Sequence, residues 1–264
     1  MRKSSIAALA ALSLGLMNCT SQSSQQADGN YIGPSEIQIT DGKMPPEVLL
    51  SFGRLSDPQL SPDGSKILYG VSYIDIDQNR SCRNLFVCNP DGSDKVQLTM
   101  DGKSISNARW SKDGKTIYFL QGGQIYSAPF EGDKLGARKA LSAFEAGISE
   151  FKLSSDEKSV IISSTVKNPN LVTPSDTDAK LNKAQAYVTE DLMYRHWNEW
   201  TTEIPHPFVA DFDGTNTSNV KDILEGTMFE SPMRPMGGVE QITWMPDSKS
   251  FIYVCRKKTG KDYA

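Results

Sequence analysis

The sequence predicts an all-β fold, an incomplete β-propeller assembled from four-stranded antiparallel blades. Three observations predict it: a turn-and-strand motif that recurs along the chain, a second pair of strand signals after each copy, and a recurrence interval of blade length. The motif reads "LSPDGSKILYG" at 60–70, "WSKDGKTIYFL" at 110–120, "LSSDEKSVIIS" at 153–163 and "WMPDSKSFIYV" at 244–254. Its aspartates, Asp63, Asp113, Asp156 and Asp247, are spaced by 50, 43 and 91 residues. Units of about 40–50 residues with four short strands are blade-sized, to be repeated radially about an axis. Helical solenoids of similar period are excluded, because these units alternate with period two and are bounded by turn dipeptides.

In the first copy Pro62 presets φ for a turn, Asp63 bonds its own backbone and Gly64 accepts a left-handed conformation. The flanking "PQLS" and "SKILYGVS" are rich in strand formers, which makes a hairpin. The second copy has Lys112 in place of proline. The third and fourth have Glu157 and Ser248 in place of glycine, so their turns are expected to be looser or of another type. A weaker hairpin follows each of the first three copies, centred on "NPDGS", "FEGDK" and "FDGTN". The blades then span about 47–101, 102–143, 144–236 and 237–264, the last one partial. Residues 167–205 account for the long interval as a loop and short-helix insertion in the third blade.

About three and a half blades leave a bare flank, whereas propellers close with roughly four to eight. The expectation is therefore the N-terminal part of something longer. The alternative is two half-propellers pairing into a ring, which requires an oligomer.

Ahead of the blades, Arg2 and Lys3 precede the apolar run "IAALAALSLGLM" at 6–17, which is too short to span a bilayer and reads as a signal peptide over 1–19. The run ends at Cys19 and resembles a bacterial lipoprotein signal, in which this cysteine takes the lipid, although Asn18 stands where a small residue is usual. Residues 20–46, opening on "TSQSSQQADGN", read as a flexible tether and lead-in. An exported protein of the periplasm or outer membrane follows, held to the membrane only through the lipid.

The 264 residues are 38% hydrophobic and carry a net charge of −4 with 28 scattered basic residues, which excludes a nucleic-acid footprint. No cysteine and histidine spacing suits a metal, and "DIDQN" at 75–79 lacks the glycine and the glutamate of a calcium loop, so neither metal nor cofactor is expected. Export permits disulfides. Cys82 and Cys88, if on one strand, lie roughly 20 Å apart and cannot bond each other. Cys255 pairs with one of them only if their strands are neighbours.

The insertion ends in "LMYRHWNEW" at 192–200, the densest group of aromatic, basic and acidic side chains in the chain. "YRHWNEW" inside the third blade, followed by "HPFVADFDG", resembles the prolyl oligopeptidase family of serine peptidases. The likeness is to its dipeptidyl-peptidase and acylaminoacyl-peptidase branch as found in Bacteroidetes, and it covers about residues 45–264. It implies a propeller that gates peptide substrates for an α/β-hydrolase domain following it in sequence, with a Ser, Asp, His triad. These 264 residues contain no G-x-S-x-G, so no catalytic residue is assigned and the chain is expected to be inactive alone.

Relatives that release dipeptides hold the substrate's amine with propeller-borne carboxylates, by charge-assisted hydrogen bonds in a water-poor chamber. The resemblance thus makes Glu199 and Glu203 substrate-binding candidates, beside Trp197 and Trp200, with Glu190 and Asp191 behind them. Arg195 would take a substrate carbonyl or carboxylate, and His196 is a lesser candidate. The structural reading of the same residues is an Arg195–Glu199 pair stapling a short helix, with the tryptophans and His196 packing the insertion. The competing function is a non-enzymatic, TolB-like periplasmic propeller that binds a protein partner.

Overall fold

The computed structural model describes residues 29–257 apart from 36, 38, 40, 189–194 and 197–198, and leaves the side chains at 195, 196 and 199 outside the description. A short helix α1 (Pro46–Ser51) leads into the first sheet, β1 (Arg54–Leu60), β2 (Ile67–Asp75), β3 (Arg80–Cys88) and β4 (Val96–Gln97). The second holds β5 (Ile105–Trp110), β6 (Thr116–Gln121), β7 (Gln124–Glu131), β8 (Lys134–Leu135) and β9 (Lys139–Ala140). The third is built from β10 (Glu150–Leu153) and β11 (Ser159–Lys167), then, beyond an insertion, β14 (Glu203–Phe212) and β15 (Thr217–Asp222). The insertion carries helix α2 (Pro174–Thr177), a 3-10 turn at Ala179–Leu181, and the strands β12 (Arg195–His196) and β13 (Glu199–Trp200). A fourth sheet begins with β16 (Ile242–Trp244) and β17 (Phe251–Tyr253).

Within the first and third sheets the strands pair in sequence order, all antiparallel. The second sheet departs from four strands, because its outer position is divided between β8 and β9, both paired with β7. Gly132 and Asp133, at φ +56° and +57°, turn the β7–β8 hairpin between the facing pair Glu131 and Lys134. β6 is covered on both faces, so it reads as a continuous apolar run instead of an alternating one. Ile117 and Phe119 pack with Leu68, Leu85 and Val87 of the first sheet. Tyr118 and Leu120 pack with Phe151, Val160, Ile162 and Phe208 of the third.

The first strand of each sheet is bonded to that of the next. Trp110 Nε1 donates to Gln59 O at 3.2 Å, Asn107 Nδ2 to Phe151 O at 2.8 Å, and Trp244 Nε1 to Lys152 O at 2.9 Å. These strands face a common axis and the sheets are blades of a partial propeller, with an insertion in the third.

The recurring motif folds into one turn each time. Ser61, Ser111 and Ser154 are buried; each donates its hydroxyl to Asp63, Asp113 or Asp156 at 2.6–2.7 Å and accepts from the amide of Lys66, Thr116 or Ser159 at 2.9–3.0 Å. The expectation that the third and fourth turns differ is overturned. Glu157 and Ser248 stand at φ +56° and +57°, and their amides close the same turn as those of Gly64 and Gly114. The reason lies in the neighbouring blade. Glu157 Oε1 accepts from the amide of Lys112 at 2.6 Å, and Ser248 Oγ from that of Asp156 at 3.1 Å. Side chains there tie one turn to the next around the ring.

Cys82 and Cys88 share β3, and these two and Cys255 are free thiols, so the conditional pairing of Cys255 is not made. Burial, the main influence on each, raises the Cys82 and Cys255 thiol pKa values.

Candidate functional site

The insertion leaves the third sheet beyond the last ladder pair, Lys167 with Glu203. Its neck is closed by buried Asn168, whose amide bonds Thr202 O at 3.0 Å and whose Nδ2 bonds Thr201 O at 2.8 Å. Leu171 is buried just beyond, and Val172 forms an isolated bridge with Val188. Thr173 then caps α2 reciprocally with Asp176. Lys167 Nζ, 2.6 Å away, and Thr173 hold the Asp176 carboxyl far below the usual carboxylate range.

At the far end Arg195 lies opposite Trp200 and His196 opposite Glu199 in an antiparallel ladder. The short helix stapled by Arg195 and Glu199 is therefore not what forms; the two short strands pair antiparallel instead. Arg195 and Glu199 are not cross-strand partners. The proposed contacts of the Arg195, His196 and Glu199 side chains lie outside the described residues, as do Trp197, Glu190, Asp191 and the lipidation candidate Cys19. Trp200 is exposed.

Glu203 is the first residue of β14. Its Oε2 accepts from Thr165 Oγ1 at 2.8 Å and its backbone oxygen from Arg234 Nη2 at 2.7 Å. Arg234 leads to a group that sequence reasoning missed. Glu230 is wholly buried; its Oε1 accepts from Arg234 Nε at 2.8 Å, and its Oε2 lies 3.5 Å from Arg256 Nη1. The backbones of Glu230 and Arg256 also exchange hydrogen bonds. A carboxylate so buried is held by the two guanidiniums around it, and together they tie the fourth blade to the insertion's root. The i,i+4 spacing of Glu230 and Arg234 was a signal, but Arg256 is distant in sequence and the segment between is not helical.

His206, the other histidine, is structural in placement. It is buried on β14, and its Nδ1 donates to the Asp222 carboxylate at 2.9 Å. Among the described residues no cluster of His, Cys, Asp or Glu could hold a metal ion.

Alternating connections put the insertion on the face that also carries the links at 76–79 and 122–123, opposite the aspartate turns. The insertion thus stands on this face, with its neck fixed to the third sheet.

No family model matches the chain. The chain is 37% identical over 233 residues to dipeptidyl-peptidase 5 of Porphyromonas gingivalis, covering 88% of this chain and 34% of that protein. It is 34% identical over 266 residues to dipeptidyl-peptidase 5 of Porphyromonas endodontalis, covering 100% of this chain and 37% of that protein. The chain therefore spans about a third of the length of these curated relatives. Among solved structures, the acylaminoacyl peptidase of Pyrococcus horikoshii superposes with a TM-score of 0.48 at 15% identity, over 66% of this chain and 26% of that one.

Proposed function

From a chain that is the propeller portion of a dipeptidyl-peptidase or acylaminoacyl-peptidase type within the prolyl oligopeptidase family, we propose that it admits and orients oligopeptides for a serine exopeptidase. The observation that carries this is the 37% and 34% identity to two dipeptidyl-peptidases over 88% and 100% of the chain. The peptide bond is cut elsewhere, by a hydrolase domain outside these residues. Glu199 and Glu203 hold the free amine of the substrate, Arg195 a carbonyl, and Trp197 with His196 shape the pocket. The chain is exported and anchored by a lipid on Cys19.

Charge-assisted hydrogen bonds are worth about 1.5–3 kcal/mol each, so losing the amine contact costs roughly 10–150-fold. In the full-length enzyme, Glu199→Gln is expected to lower kcat/KM for free-amine dipeptide substrates by that factor and to leave N-acylated substrates unchanged. Equal activity of variant and wild type on free-amine substrates overturns the role of Glu199. Residues 1–264 alone are expected to bind peptides without cutting them. A chain that captures a protein partner and shows no peptide binding would favour the TolB-like reading.

A further inference from the structure

Among the described residues Arg83 Nε is one of three buried side-chain polar atoms without a hydrogen-bond partner, with His206 Nε2 and Ser231 Oγ. Arg83 alternates with Leu85 and Val87 on β3, both in the core between the first two blades, so it projects into the same interface. From there its side chain crosses β2 at Gly70. A Cβ at residue 70 would collide with Arg83 Nε and stand 2.9 Å from its Cζ, so the missing side chain is what admits the guanidinium. The group ends near the first strands of the two blades, and there it finds no hydrogen-bond partner among the described residues.

Among the described residues Asp57 is the carboxylate that faces Arg83, and it is already engaged, while Glu150 also faces Arg109. Asp57 sits in a bulge of β1 at φ +53°; its Oδ2 takes Arg109 Nη1 at 2.7 Å and its Oδ1 takes Gln59 Nε2 at 2.9 Å. Arg109 is held further by Ala108 O and by Asn107 Oδ1, from the matching bulge of β5. Arg83 Nη2 is left 3.9 Å from Asp57 Oδ2, beyond hydrogen-bonding distance, and its Nε is buried without a partner. Burial lowers its pKa, Asp57 opposes this and Arg109 adds to it. Lys152, the next cation around the axis, is committed to Ile242 O at 2.8 Å. The four Nη donors of the guanidinium thus reach towards the inner rim with none hydrogen-bonded among the described residues, while 20% of the Arg83 side chain and 27% of that of Arg109 remain open to solvent.

We propose that Arg83, with Arg109 beside it, is a carboxylate-binding site for peptides at the axis-facing edge of the first two blades. A carboxylate matches the planar fork of a guanidinium with two parallel hydrogen bonds, and in this half-buried setting those bonds are charge-assisted. It supplies an acceptor that the described residues leave the Arg83 guanidinium without. The carboxylate belongs to a peptide, either its C-terminus or an Asp or Glu side chain; that identification rests on the peptide-handling function proposed above, whereas the anion site rests on Arg83, Gly70 and Asp57.

The test is calorimetric binding to the full-length protein, using acetate, Gly-Gly-Gly with a free C-terminus, Gly-Gly-Glu amide and the neutral Gly-Gly-Gln amide. Two variants are compared with the wild type after their melting has been checked: Arg83→Gln removes the charge, and Gly70→Ala keeps every charge but displaces the guanidinium. The acidic peptides are expected to bind at least tenfold tighter than the neutral one, and to lose that advantage in either variant. The better binder of the two acidic peptides identifies the source of the carboxylate. Acetate binding that either variant weakens, with no peptide preference, would keep the anion site and remove the peptide reading. Equal binding of acidic and neutral peptides with no response to acetate, or acidic-peptide binding unchanged in folded Gly70→Ala and Arg83→Gln, overturns the proposal.

Discussion

On one face of the propeller the turns at 61–66, 111–116 and 154–159 repeat a single pattern of serine, aspartate and amide hydrogen bonds. On the other face the corresponding links share nothing: four residues at 76–79, two at 122–123, and an insertion from Asn168 to Thr202. The repeating face is fixed by local chemistry, which each blade supplies for itself. The irregular face is held by contacts between distant segments, and it is the face with the freedom to carry a binding function.

Replacing Glu230 should separate the two faces most strongly. The carboxylate is fully buried between Arg234 and Arg256, so Glu230→Ala leaves two guanidiniums without their anion. A loss of about 3–5 kcal/mol is expected in urea unfolding, with faster proteolysis within 168–202 because Arg234 also holds Glu203. Unchanged proteolysis there would mean that the insertion is fixed by its neck alone.

Acid should act on the other face. The hydroxyl of Ser61 and the amide and hydroxyl of Ser65 pull the Asp63 pKa down to about 2, and Asp113, Asp156 and Asp247 are lowered by the same kind of bonds. A carboxyl with a depressed folded pKa gives stability that is full above its unfolded value near 3.9 and lost as pH falls towards the folded one. Melting temperature should therefore drop as pH falls from about 4 to about 2, and Asp63→Asn should flatten that drop. A smaller effect comes from Ser111→Ala, which removes the buried link between the Asp113 carboxylate and the Thr116 amide. About 1–3 kcal/mol should be lost, with Ser154→Ala matching it.

The contrast also explains what the sequence made legible. The blades could be read because aspartate turns followed by short apolar strands are local signals, repeated in Asp63, Asp113 and Asp156, although β6 is apolar throughout and does not alternate. The position of Glu203 at the root of the insertion, its tie to Arg234, and the burial of Glu230 were not legible, since each depends on segments brought together only by the ring. The helix suggested by Arg195 and Glu199 shows the same limit: their spacing fits an i,i+4 pair, yet the segment forms a two-strand ladder.

Position 157 tests whether even the repeating face is purely local. Gly64 and Gly114 accept positive φ at no steric cost, whereas Glu157 adopts φ +56° and bonds the amide of Lys112 in the preceding blade. If that bond between blades is what keeps a non-glycine residue there, two substitutions should diverge. Glu157→Gly loses the bond but relieves the backbone, so the change should stay within about 1 kcal/mol. Glu157→Ala loses the bond and keeps the strained backbone, and should cost about 1–2 kcal/mol more than glycine. Equal stabilities for the two variants would show that the left-handed conformation carries little strain at this turn, and that glycine at 64 and 114 is not required by φ.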